Sequence, residues 1–201
     1  MYRFFNAIAS RKLWFSIAAA AAFGMFALAQ VSFRTGFRGV PGLEARPELP
    51  DSSFSYGSAR LVSMMDALGE EGRAAYLRLG VVDTVFPVAY GIFLAAAIVL
   101  AWGRLAGYPR IASVLLVVPL AGAASDLAEN AAVRSVISLF RAWARAEAMI
   151  AVPPFAARVS GWLTTLKWSA AAFSALLALA GFAAAIAGRR FSRDRAGMRG
   201  D

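Results

Sequence analysis

Four stretches of this chain are too long and too evenly apolar to be half-buried faces of soluble helices. They cover about 13–31, 80–102, 111–130 and 161–187. A helix needs about 20 apolar residues to cross the hydrocarbon of a bilayer. In that medium only helices and closed barrels satisfy their own backbone. The pattern predicts an all-α integral membrane bundle of four transmembrane helices, with a partly helical external segment between the first two. Charged residues make up only 16% of the chain, against ~25% in soluble domains. We therefore read 1–187 as a single membrane domain and 188–201 as a basic tail, expected to be disordered.

The first run has a competing reading. Ala27-Leu28-Ala29 has the small-x-small form of a signal cleavage site. The run exceeds the ~7–15 apolar residues of a signal core, which favours a retained first helix. Before it, Met1 to Lys12 is a short basic head. After it, Pro and Gly between Phe33 and Gly57 predict an irregular loop. Ser58 is a candidate cap for a short helix with Leu61, Met64, Met65 and Leu68 at helical spacing, ended by Gly69. Glu70 and Glu71 suit the first turn of the next helix, which reads without a break into the second span. Pro87 is expected to kink it. Pro119 lies inside the third span, whose helix is expected to project through Arg134 and Phe140 to Trp143. Pro153-Pro154 should stop whatever precedes the fourth span.

The basic residues set the expected orientation. Nineteen Arg and two Lys give a net charge of +9, and the arginines gather at segment ends. Membrane topology explains that placement, so no nucleic-acid partner is implied. With both termini cytoplasmic, the inner segments hold ten basic residues and two acids, and 32–79 and 131–160 lie outside. Trp14 and Trp102 would mark the inner interface and Trp162 the outer one. Abundant Ala and Arg suit a bacterial inner-membrane protein.

Chemistry is bounded by what is missing. There is no cysteine and no histidine. Disulfides, thiol catalysis and thiolate metal sites are excluded, as are imidazole bases and ligands. No cofactor is predicted, and any metal would be a hard divalent cation on oxygen ligands.

Polar residues inside the spans are expensive and need partners. Asp126, Glu129 and Asn130 stand at i, i+3 and i+4 on the third span and share one face. Tyr76, Asp83 and Tyr90 form a stripe on the second, and Thr164 and Lys167 on the fourth. At the helical rise, Asp83, Asp126 and Lys167 lie about 5, 6 and 9 Å inside the outer ends of their spans. Polar stripes at one depth should face each other, because lipid offers no partners. Three carboxylates against one lysine leave a deficit of positive charge, which Arg73, Arg78 or Arg134, a proton or a bound cation could fill. A metal there would use Asp83, Asp126 and Glu129. Gly122, one turn from Asp126, leaves room beside it. The small-residue pairs Ala20/Gly24, Gly91/Ala95 and Gly181/Ala185 would allow helices to approach closely.

The elements Asp83-x-x-Phe86-Pro87-x-x-Tyr90-Gly91, Asp126-x-x-Glu129-Asn130 and Thr164-x-x-Lys167-Trp168, with Leu68-Gly69-Glu70-Glu71-Gly72-Arg73 before them, resemble a group of uncharacterised four-span bacterial membrane proteins. The resemblance covers roughly 56–168. It implies a four-helix membrane fold and no particular activity.

Three functional readings stay open at this point. The cluster is a structural lock in a scaffold or assembly protein that meets other membrane proteins. Or it binds a cation, a lipid headgroup or a small solute. Or it belongs to an outer-leaflet enzyme with Asp126 or Glu129 as acid or base. Whether it is closed and fully paired, or lines a cavity, discriminates between lock and site.

Overall fold

The computed structural model describes residues 1–38, 40, 48–103, 109–140 and 146–197. Among them there are eight α-helices, one short 3-10 turn and no strand. In order these are α1 (Tyr2–Ser10), α2 (Lys12–Thr35), the turn Pro50–Ser52, α3 (Ser58–Ala67), α4 (Gly69–Trp102), α5 (Pro109–Leu115), α6 (Val117–Phe140), α7 (Ala146–Ala151) and α8 (Phe155–Gly197). Four helical segments are long and apolar enough to cross a membrane: Lys12–Thr35, Gly69–Trp102, Arg110–Phe140 and Phe155–Gly188. The expected all-α bundle of four such helices is what the chain forms.

Helix α6 packs most extensively on α8, and α4 lies against both. Helix α2 packs along α4. It has no comparable interface with α8 among the described residues. Only Ala22 and Ala29 of α2 are buried, so this helix is a wall on one side of a three-helix core.

Each end of the bundle carries its own apolar packing. At one end Leu61, Val62 and Met65 of α3 and Met149 of α7 meet Tyr76, Val133 and Val136. At the other, Phe5 and Ala9 of α1 pack on Ala95, Val99 and Leu116. The first twelve residues are thus not merely a basic head. Nine of them form a helix with one apolar face, which finds α4.

Local chemistry explains the breaks. Gly69 is the one described residue with a positive φ, at 62°. It takes the left-handed conformation that ends α3, where a side chain would be strained. Ser58 does not cap α3: it is the first helical residue, and Gly57 is the cap. Pro119 has no N–H to offer the Leu115 carbonyl, and its ring crowds that carbonyl. The helix accordingly breaks between Leu115 and Val117. Pro87 leaves α4 continuous from Gly69 to Trp102. Pro153 and Pro154 separate α7 from α8 as expected.

Small residues set the helix spacing. A Cβ on Gly91 would lie 2.9 Å from the Ala123 Cβ, and one on Gly181 2.8 Å from the Ala101 Cβ. Gly24, by contrast, has nothing within 4 Å, so the Ala20/Gly24 pair is not a contact. Gly122 makes room for α8 itself: its Cβ would meet that of Ala170 at 3.0 Å. The end of α8 differs from expectation, since helix continues to Gly197 where a disordered tail was expected from Gly188. Residues 198–201 and Trp143 lie outside the described residues.

Candidate functional site

The polar stripes of α4, α6 and α8 do converge, and Lys167 is their centre. Its Nζ lies 3.1 Å from Asp126 Oδ1 and 2.6 Å from Glu129 Oε2. It also lies 3.1 Å from Asp51 Oδ1. Asp51 was not among the expected site residues. It sits on the Pro50–Ser52 turn, in a stretch whose prolines and serines read only as loop. Its other oxygen accepts a hydrogen bond from the Tyr76 hydroxyl at 2.6 Å.

Glu129 occupies the closed half of the cluster and is fully buried. Besides Lys167, its carboxylate accepts hydrogen bonds from the Tyr56 hydroxyl at 2.8 Å and from Thr164 Oγ1. Tyr56 reaches this depth because of Gly161. The Tyr56 carbonyl rests on that glycine, in space a Cβ would occupy. Burial first, and then the Glu129 charge, push the Tyr56 phenol well above its ordinary range. It therefore remains a proton donor to the carboxylate.

Asn130 and Arg134, one turn apart on α6, serve α4. Pro87 cannot donate to the carbonyl of Asp83 four residues earlier. That carbonyl instead accepts a hydrogen bond from Asn130 Nδ2 at 2.9 Å. Arg134 donates to the Gly80 carbonyl and to Thr84 Oγ1. Arg73 donates to the Met65 carbonyl at 2.8 Å and stacks over the Phe140 ring at 4.6 Å. Arg78 is exposed. Of the alternatives for filling the charge deficit, Arg73 and Arg134 are not used in this way, because their guanidinium groups are engaged elsewhere.

The other half of the cluster is open. Asp51, Asp83, Tyr90, Asp126 and Lys167 line one end of a cavity of about 450 Å³. The Tyr90 hydroxyl donates to Asp126 Oδ2 at 3.2 Å. Asp83 is 7% exposed. Among the described residues, no side chain donates a hydrogen bond to its carboxylate. Gln30 of α2 and Ser52 of the turn also line it, and the remainder is apolar, with Phe23, Phe26 and Phe33 of α2, Phe86 and Phe93 of α4, and Trp168, Ala171 and Ala175 of α8. The cavity lies between α2 and α8, where no packed interface closes it. Phe23, Phe26 and Trp168 at its side are 66, 48 and 42% exposed.

The oxygens that could converge on a metal ion belong to Asp51, Asp126 and Glu129, within 4.8 Å of one another. That set replaces Asp83 with Asp51 in the expected trio. The Lys167 ammonium already sits within 3.1 Å of all three. A divalent cation would have to displace it, so this geometry serves an internal ion pair better than a metal.

No family model matches the chain, nor does any curated protein or solved structure. Fold and site together define a four-helix bundle with an off-centre ion-pair cluster. One half of that cluster is closed, and the other ends a laterally open apolar chamber.

Proposed function

We propose that this is a multi-pass membrane protein that binds an amphipathic small molecule or lipid. Its apolar part lies between α2 and α8, and its polar head lies against Asp51, Asp83, Asp126 and Lys167. The observation that carries this reading is the cavity itself: about 450 Å³, mostly apolar, with a group of charged residues in its lining. That volume is typical of ligand pockets, which are mostly apolar with a few polar groups to orient the guest. A purely structural cluster would have no reason to end a chamber. In this reading the membrane is a bacterial inner membrane, both termini are cytoplasmic, and the cluster lies in the outer half. The resemblance to four-span bacterial proteins belongs to the same proposal.

The structural-lock reading keeps part of the cluster. Glu129 with Lys167, Thr164 and Tyr56 has every mark of a buried tie, since it is fully enclosed and joins α6, α8 and the segment before α3. Nothing comparable favours an enzyme.

Native mass spectrometry of the protein released from nanodiscs tests the proposal. Wild type should retain a small set of amphiphiles. Ala171→Leu, which fills the chamber away from the charged end, should lose them while unfolding at an unchanged or higher temperature. Equal retention by both proteins would mean only surface lipid, and would overturn the binding reading.

A further inference from the structure

We propose that the chamber's ligand carries a cationic ammonium head, and that Asp83 is its counter-ion. This rests on the binding reading above and names the chemistry of its ligand. Asp51, Asp83, Asp126 and Glu129 face a single ammonium, that of Lys167. Lys167 contacts Asp51, Asp126 and Glu129. The tyrosine hydroxyls serve the same three: Tyr76 bonds Asp51, Tyr90 bonds Asp126 and Tyr56 bonds Glu129. Asp83 alone has no donor among the described side chains, although it is more than nine-tenths buried and lines the chamber. A carboxyl group that lines a chamber with no side-chain donor holds either a proton or a positive guest, and the aromatic lining favours the guest. Arg134 is on the neighbouring helix but is bound to Gly80 and Thr84.

The surroundings of Asp83 select the kind of cation. Phe86 lies edge-on to Tyr90 at 5.1 Å between ring centroids, and Phe26 is 6.0 Å from Phe86. All three rings line the chamber with Asp83, and Trp168 faces them from α8. A hard metal ion would have to displace Lys167 to gather its six or more oxygen ligands. An alkylated ammonium instead gains from aromatic faces as well as from the carboxylate. The apolar chamber behind the head then takes an alkyl chain. From Lys167 to Ala175 the lining runs about 12 Å along α8 at the helical rise, enough for a chain of medium length. An anionic head would meet an excess of carboxylates.

The test uses the full chain in nanodiscs of uncharged or zwitterionic lipid, with empty discs as background. Decyltrimethylammonium should bind saturably to wild type and at least tenfold more weakly to Asp83→Asn. Decyl sulfate should not compete for the site. Tetramethylammonium, lacking the chain, should need far higher concentration. Asp83→Asn removes a charge that has no partner, so it should fold and melt no lower than wild type. The selectivity among heads on wild type tests the claim even without that variant. Equal binding of decyltrimethylammonium to wild type and Asp83→Asn, or equal binding of decyl sulfate, would overturn the assignment. If neutral decanol binds both proteins alike, and Ala171→Leu abolishes it, the chamber reading stands and the cationic head falls. If no probe binds wild type above empty discs, both fall. Discs containing phosphatidylethanolamine or phosphatidylglycerol then identify the source. Selective retention of the ethanolamine lipid by wild type, lost in Asp83→Asn, means a membrane lipid. Alkylammonium binding without such retention means a free amphiphile.

Discussion

Lys167 holds three carboxylates, two on α6 and one on the Pro50–Ser52 turn, and the last is 116 residues away in sequence. Removing one member of a buried ionic set leaves the others uncompensated, which is why breaking such a pair destabilises more than forming it stabilises. Lys167→Met should therefore cost on the order of 3–5 kcal/mol in a denaturant titration of the detergent-solubilised protein. Lys167→Met combined with Glu129→Gln should recover part of that loss, because the most enclosed acid is then neutral. Strictly additive losses would show that the two side chains do not interact. At this scale the sequence was readable where periodicity speaks. Asp83, Tyr90, Asp126, Glu129, Thr164 and Lys167 are expected to converge, and the structure gathers them in one off-centre region of the bundle. Asp51 and Tyr56 escaped, because a loop has no period that says which side chain turns inward. The charge deficit was the available signal that pairings were missing, but it pointed to extra cations. The loop supplied a fourth acid instead.

Helix α4 passes Pro87 unbroken, and the reason lies on α6. A proline inside a helix orphans the carbonyl four residues earlier, and in an apolar setting that group must find another donor. Asn130 supplies it at the Asp83 carbonyl. Its place beside Asp126 and Glu129 made it look like part of an acidic cluster, whereas its bond is to backbone. Replacing Asn130 with alanine should cost about 1–3 kcal/mol, the range for a buried acceptor left unsatisfied. In a Pro87→Ala background the same change should cost clearly less, because the alanine N–H restores the bond within α4. Circular-dichroism melts of the four proteins in one detergent give the cycle. An undiminished cost of Asn130→Ala in the Pro87→Ala background would mean that the amide acts elsewhere. The proline of the third span behaved differently, splitting α5 from α6 at Leu116. Sequence alone could not separate the two outcomes, since both depend on what the neighbouring helix offers the freed carbonyl. Helix α1 was missed for a related reason. Its nine residues are too short to stand as a helix in isolation, and packing on α4 supplies what propensity does not.

At the scale of the whole molecule, if each of the four long apolar helices crosses the membrane, Ser10 and Gly188 lie on the same side of it. The segment with Asp51 and Tyr56 then lies on the other. The chain contains no cysteine, so single cysteines report position without background. Ser10→Cys and Gly188→Cys bracket the four helices, and Ser55→Cys lies in the exposed part of the segment over the cluster. If the arginine distribution sets orientation, a membrane-impermeant maleimide should label Ser55→Cys in intact cells. It should reach the other two only after permeabilisation. Reversed labelling would keep the fold but turn the chamber's charged end to the cytoplasm, and with it the compartment from which a polar head arrives. Different behaviour of Ser10→Cys and Gly188→Cys would mean an odd number of crossings. Helix α2 decides more than topology in this scheme. It supplies Phe23, Phe26 and Phe33 to the chamber, so cleavage after Ala29 would strip most of one wall. A mature protein whose mass lacks residues 1–29 would have a groove facing lipid where the intact chain has a chamber. It should then bind decyltrimethylammonium more weakly, having lost the aromatic face that α2 provides.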